Sequence, residues 1–363
     1  MSASPPARRP MAGLDAARLL ALAAVFYSHA CSLMERDDLR TVAGYWVGRV
    51  GTAVFFLLSG FLAVSTVRTP GAALRKRLVR IYPAFWVALG LSFTAAAFTG
   101  YKSFDAWQVV SQFAGTGLFT HPDSLVGVHT WFVSALLLMY VVVYLDGLAG
   151  GRAVPAAAAA LLGLHFLSHS VALTATTTHG LLFLAAYAVG KLPGSYWLGF
   201  AAVAVLSAGL AAIDPLFRHG TVAAAVLSVA SLWAGRCRPA RWFAGYAYEW
   251  FLLHGVCLHA AAYAFGRESW FFVVPAAVGT LASAVLLRHG LDRIGGRLKG
   301  LAKRRENGDD TPTSLPAAMV ETDLNQKPLP DGPSPCSASS ATGRPSATGL
   351  PAATSSPRGR HWA

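Results

Sequence analysis

Charge is what this sequence has least of. Only 13% of its 363 residues are Asp, Glu, Lys or Arg, and just 17 are acidic, whereas a soluble globular chain carries about a quarter charged residues. That shortage argues against a water-exposed surface for most of the chain. Cysteine is also sparse, at four residues. Cys31 and Cys257 fall in apolar stretches, Cys237 in a basic break and Cys336 near the C-terminus. None forms a CxxC pair, so neither a zinc site nor a disulfide framework is indicated. Also missing is a small-residue cleavage site after the first apolar run, which argues against a cleavable signal peptide. There is no internal repeat.

What the chain has instead is apolar length. Hydrophobic residues make up 54% and the mean hydropathy is +0.47. From Gly13 to His289, apolar runs alternate with short polar or basic breaks. A helix needs roughly 20 apolar residues to cross the hydrocarbon core and satisfies its backbone internally while doing so. The expected fold is all-α, a polytopic transmembrane bundle of about ten helices. The spans are read at 13–34, 44–66, 79–99, 130–148, 154–170, 178–191, 195–212, 219–235, 242–265 and 270–289. The fifth and sixth are diluted by His165, His169, His179 and a threonine run. A longer polar stretch at 100–128 separates the third from the fourth.

The net charge of +13 reads as membrane topology, with no nucleic-acid partner expected. With the N-terminus in the cytoplasm, nineteen Lys and Arg residues fall on the inside and six on the outside: Arg36, Arg40, Arg49, Lys102, Arg218 and Arg267. That bias follows the positive-inside rule and puts both termini in the cytoplasm of a multi-pass cell (inner) membrane protein. The organisation is then a cytoplasmic segment 1–12, a transmembrane domain 13–290, a basic juxtamembrane segment 291–305, and a tail 306–363. The tail is rich in Ser, Thr, Pro, Ala and Gly and is expected to be disordered.

Two polar residues interrupt the first helix, Arg18 and His29. Eleven residues turn about 1100°, some 20° past three full turns, so the pair shares one face, about 16 Å apart along the axis. Asp15 lies one turn from Arg18 and can pair with it. An arginine near a helix end also snorkels to the interface, and a buried histidine can serve packing alone. Ionisable groups inside a membrane face the bundle interior, however, and mark function.

The run holding this pair resembles the first helix of the acyltransferase-3 family of membrane O-acyltransferases, with its Arg, ten intervening residues, then His. GTAVFFLLSGFL, Gly51 to Leu62, is similar to that family's Phe-Phe-x-x-Ser-Gly-Phe signature. RKRLVRIYPAFW, Arg75 to Trp86, is similar to its Arg-x-x-Arg followed by Ile-Tyr-Pro. HTWFVSALLLMY (His129 to Tyr140) and YEWFLLHG (Tyr248 to Gly255) are weaker echoes. The resemblance implies transfer of an acyl group, most often acetyl from acetyl-CoA, to a hydroxyl of a sugar or glycosylated acceptor. It implies His29 as catalytic base and Arg18, Arg77 and Arg80 as donor-binding residues. No permanently bound cofactor is implied, acetyl-CoA being a co-substrate. One departure stands out: many members carry a glutamate soon after the serine of the fourth helix, whereas Ser134 is followed by Ala135, Leu136 and Leu137. That suggests a different acceptor site.

The chemistry suits these residue types. Neutral imidazole can take the hydroxyl proton near physiological pH, and guanidinium groups bind phosphate through paired hydrogen bonds. Arg75, Lys76, Arg77 and Arg80 would meet the coenzyme's phosphates, although the same cluster would arise in any positive-inside loop. Supporting candidates are Asp15, Ser59, Glu249, Trp131 and His129. Ser59-Gly60 would let helices approach closely, with a donor-site role as the alternative. Trp131 and Tyr140 are packing or pocket aromatics. Glu249 is expected to partner a basic group, with Arg18 the candidate. It lies five residues from His254, about 140° off one face, so those two should not act on each other. His165, His169, His179, His219, His259 and His289 read as structural or interfacial. A transporter or flippase for a glycolipid or lipid-linked sugar is the alternative function, although the repeated halves common in transporters are missing. Acceptor identity, acyl length and oligomeric state stay open at this level.

Overall fold

The computed structural model describes residues 12–64, 69–100, 103–121, 125–126, 130–168, 171–192, 195–233, 237–268 and 270–306. The expected tail 306–363, apart from Glu306, and the segment 1–11 lie outside the described residues. So do His129 and His169. The chain divides into two units, 1–297 and 298–363. Of the second, the described residues 298–306 are helical.

The fold is all-α apart from one tiny hairpin. Thirteen α-helices are found among the described residues: α1 (Ala12–Leu33), α2 (Val47–Ala63), α3 (Pro70–Thr99), α4 (Ala106–Phe113), α5 (Gly117–Thr120), α6 (Trp131–Leu148), α7 (Ala153–Leu167), α8 (Val171–Lys191), α9 (Tyr196–Ala211), α10 (Arg218–Leu232), α11 (Arg238–Ala244), α12 (Ala247–Phe265) and α13 (Val273–Glu306). Strands β1 (Thr41–Val42) and β2 (Tyr45–Trp46) pair antiparallel between α1 and α2, with Thr41 opposite Trp46. Their two-residue turn holds Ala43 and Gly44 at positive φ, 49° and 78°, the geometry that lets strands reverse this tightly.

Each of the ten expected spans overlaps an α-helix, α1, α2, α3, α6, α7, α8, α9, α10, α12 and α13 in turn. Among the described residues, five stretches are long and apolar enough to cross a membrane: Ala12–Leu33, Pro70–Thr99, Trp131–Leu148, Pro215–Leu232 and Trp270–Arg297. Helices α2, α7 and α9 are apolar but shorter. At 1.5 Å per residue their 15 to 17 residues reach about 22–26 Å, somewhat under the full hydrocarbon thickness. Large apolar side chains point away from the protein, among them Leu20, Phe98, Val205 and Leu286. Such a surface suits a lipid solvent.

The boundaries differ from the hydropathy reading where polar groups are satisfied locally. Helix α3 begins at Pro70, not 79, because proline suits the first helical position and nothing in Leu74–Arg80 breaks a helix. The arginine motif is therefore helical. Helix α8 begins at Val171 rather than 178, since Thr177 and Thr178 each donate their hydroxyl to the Thr174 carbonyl at 2.9 Å. That back-bonding hides the polarity that dilutes the sequence signal. The ninth span splits into α11 and α12, and the tenth continues through the basic segment to Glu306. The polar stretch 100–128 contains α4 and α5, and α4 opens on a full capping box between Asp105 and Gln108.

Helix α1 sits among α2, α10, α11 and α12, and α2 packs in turn on α8. Small residues allow these contacts. A Cβ at Gly60 would lie 2.1 Å from the Phe183 carbonyl oxygen of α8, and one at Gly51 would lie 2.6 Å from the Ala21 carbonyl of α1. Gly60 thus does what small residues do at membrane helix crossings. The core between these helices is apolar and aromatic, built on Phe56, Leu57, Phe183 and Tyr187.

Candidate active site

Helix α1 is unbroken from Ala12 to Leu33, so Arg18 and His29 stand on one face, three turns apart. The Arg18 end gathers cations. Arg18 pairs with Asp15 at 3.4 Å and lies within electrostatic range of Arg80 and Tyr140. Arg77 stacks its guanidinium over the Tyr140 ring at 4.3 Å and donates to the Leu62 carbonyl at 3.2 Å. Tyr248 donates its hydroxyl to the Ile81 carbonyl at 3.1 Å and is close enough to Arg80 and Glu249 to feel both charges. Helices α1, α3, α6 and α12 therefore converge on one arginine-rich end. Arg77 is held by a ring and a carbonyl, while Arg75, Lys76 and Arg80 are exposed. Tyr140 belongs geometrically with these arginines.

The other end of α1 is aromatic. The His29 and His254 rings are 5.1 Å apart at 47°. His254, on α12, is fully buried, stacks on Trp250 at 5.7 Å and also contacts Phe26. Its Nδ1 bonds the Phe251 carbonyl. A carbonyl can only accept, so Nδ1 carries the proton and Nε2 holds a lone pair. From here aromatic contacts run through Phe251 and Phe132 to Phe56 and Trp131. Trp131 meets His179 at 5.4 Å.

Glu249 does not pair with Arg18. Its Oε1 accepts from Arg288 of α13 at 3.2 Å, with the carboxylate side chain 1% exposed, and Oε2 has no hydrogen-bond partner among the described residues. Arg288 also reaches Asp292 at 3.0 Å. Asp15 already neutralises Arg18 locally, and α13 brings Arg288 against the inner face of α12. Glu249 and His254 have separate partners, as their helical phase requires. Ser59 is half-buried on α2 beside Gly60.

A family model described as an acyltransferase domain, of the acyltransferase-3 type, matches residues 11–289. This chain belongs to that family. Nodulation protein 10 of Rhizobium leguminosarum bv. viciae is 37% identical to it over 94 residues, 24% of this chain and 25% of that relative. The chain thus matches about a quarter of the relative's length. No solved structure matches.

Several buried polar groups of this chain escape sequence reasoning. Asp146 of α6, 1% exposed, binds Lys191 at 2.6 Å and Tyr187 at 3.1 Å on α8 and accepts from the Val154 backbone at 3.0 Å. A lone acid in an apolar run is the signal that could have found it. His165 is held on both sides: its ring nitrogens reach Thr177 and Asp214, both at 3.0 Å. His179 differs, because it lines a cavity with Arg49 and His219. Nothing in its sequence neighbourhood distinguishes it from His165.

Proposed function

We propose that this membrane acyltransferase moves an acyl group, acetyl first among candidates, from acyl-CoA to a hydroxyl of a sugar, polysaccharide or glycosylated acceptor. The observation carrying the proposal is the unbroken α1, which bears an arginine at one level and a histidine three turns away on the same face. Arg18, Arg77 and Arg80 would hold the phosphates of the coenzyme. The pantetheine arm, of an extended length similar to the roughly 16 Å between the two levels, would carry the thioester to His29. His29 takes the proton as the acceptor oxygen attacks the thioester carbonyl. The tetrahedral intermediate then collapses, the C–S bond breaks, and the proton passes to the leaving thiolate. His254, with its tautomer set by the Phe251 carbonyl, acts as a positioning residue for the His29 ring.

The charge distribution supports a multi-pass orientation in the cell (inner) membrane with both termini cytoplasmic. The arginine end then faces the cytoplasmic acyl-CoA pool, and the acceptor comes from the opposite side. Purified protein given labelled acetyl-CoA tests the reading. Thioester turnover should disappear in His29→Ala with CoA still bound, and Arg18→Ala should weaken CoA binding. Full activity and normal CoA binding in both variants would refute it. So would movement of a glycolipid without any acyl turnover.

A further inference from the structure

Three arginines on the sparsely charged side of the bundle come together although the chain separates them. Arg40 closes the short 3-10 turn Asp37–Arg40, Arg49 lies in the first turn of α2, and Arg218 opens α10. All three are among the six basic residues that run against the inside bias. They gather at the His29 end of α1, where Tyr27 donates to the Leu39 carbonyl at 3.1 Å and Ser28 lies against Gly48. Arg40 and Arg49 both stack on Trp46, at 4.7 and 4.3 Å, and Arg218 lies 5.8 Å over Tyr45. Arg49 is close enough to Arg40 and Arg218 to be repelled by both.

That repulsion has little local compensation. Asp37 pairs with Arg40 at 2.7 Å, but among the described residues neither Arg49 nor Arg218 has an ion-pair partner. The Arg40 Nε is buried and has no acceptor among the described residues. Arg218 also starts a helix, where the backbone dipole adds positive potential. Cations assembled against their own repulsion, with donors unspent, match a ligand that brings negative charge.

Beside them is a cavity of about 10 Å³, room for one water-sized group, with Arg49, Thr178, His179 and His219 in its wall. His219 is already satisfied: Nδ1 bonds the Leu216 carbonyl and Nε2 accepts the Trp46 N–H, both at 3.2 Å. His179 is not. Its Nδ1 bonds the Ala175 carbonyl at 2.6 Å, which leaves a lone pair on Nε2. Among the described residues that atom has no hydrogen-bond partner, on a residue only 6% exposed. The lone pair on Nε2 calls for a group that donates a proton, as a hydroxyl does. A hydroxyl at His179 beside an anion on the arginines describes one molecule.

We infer that Arg40, Arg49, Arg218 and His179 form an acceptor subsite for an acidic, hydroxyl-bearing carbohydrate, one carrying a carboxylate or a phosphate. This rests on the acceptor being a carbohydrate, as proposed above. The test is direct binding to the full-length protein in lipid nanodiscs, with tri-galacturonic acid, glucose 1-phosphate, neutral maltotriose and inorganic phosphate as probes. At least one acidic sugar should bind about tenfold tighter than maltotriose, the scale of one charge-assisted contact. The two acidic probes distinguish carboxylate from phosphate. Arg49→Gln and Arg218→Gln should each remove about that factor, Arg49→Lys should recover part of it, and His179→Phe should weaken acidic sugars but not inorganic phosphate. Acetyl-CoA binding should be unchanged in Arg49→Gln, which reports an intact fold. Equal binding of neutral and acidic sugars, or no effect of Arg49→Gln, overturns the subsite. Inorganic phosphate binding as tightly as glucose 1-phosphate overturns the hydroxyl contact. The binding readout needs no acyl transfer. Turnover that does not depend on His29 would therefore sink the proposed reaction alone, and acidic-sugar binding that does not depend on Arg49 would sink the subsite alone.

Discussion

Replacing Arg288 by methionine isolates the buried ion pair that ties α12 to α13. In the wild type one Glu249 oxygen is held by Arg288 at 3.2 Å, and the other has no hydrogen-bond partner among the described residues. Arg288→Met therefore strands a carboxylate whose side chain is only 1% exposed. Removing one member of a buried pair costs about 3–5 kcal/mol. Arg288 keeps 30% of its own side-chain exposure, which places the expectation at the lower end, about 3 kcal/mol. The Asp292 contact is lost too, but that carboxylate is 62% exposed and such pairs contribute at most about 1 kcal/mol. At roughly 2 °C per kcal/mol for a chain of this size, the apparent melting midpoint should fall by about 6 °C. Glu249→Gln should cost less, because Arg288 retains Asp292 and partial solvation. The double variant Glu249→Met/Arg288→Met should recover most of the loss, since no charge is left to desolvate. Heating the detergent-solubilised protein and measuring the monodisperse fraction by size exclusion reads all four forms. The reasoning fails if Arg288→Met melts with the wild type, or if the double variant melts below the single.

Gly60→Ala places a methyl against the Phe183 carbonyl oxygen, 2.1 Å away with the backbones fixed. Helices α2 and α8 must separate, at about 1–3 kcal/mol, and the same melting assay reports it. Arg77→Lys keeps the charge but loses the flat contact with Tyr140 and the hold on the Leu62 carbonyl. The KM for acetyl-CoA should rise with kcat little changed, and an unchanged KM would remove Arg77 from the donor site. His254→Phe should keep the packing on Trp250 but release the His29 ring. We expect kcat to fall about tenfold or more and the acid limb of the pH–rate profile to move. A pH profile identical to wild type would leave His254 a packing residue.

Local periodicity carried the sequence reading a long way. The apolar helices follow from runs of apolar residues, and the facing of Arg18 and His29 follows from eleven steps of a 3.6-residue repeat. Both properties belong to a single helix and need no knowledge of its neighbours. Where polar groups are satisfied within their own helix, the same reasoning slipped. The threonines at the start of α8 look like a break in composition yet bond back to their own carbonyls, and Leu74–Arg80 look like a loop but prolong α3 from Pro70.

Partnership between helices is another matter. Glu249 carries no mark in the sequence that prefers Arg288, 39 residues away, over Arg18. His254 is not marked as the neighbour of His29, nor His179 as different from His165. Arg40, Arg49 and Arg218 each read as an exception to a charge rule, and only their convergence on Tyr45 and Trp46 makes them a group. The amino-acid order by itself determined an all-α membrane bundle with an arginine and a histidine aligned on its first helix, because hydropathy and helical phase act along the chain. Only the tertiary structure decided which buried charges neutralise one another and which remain unsatisfied, because that depends on how helices distant in sequence are brought side by side.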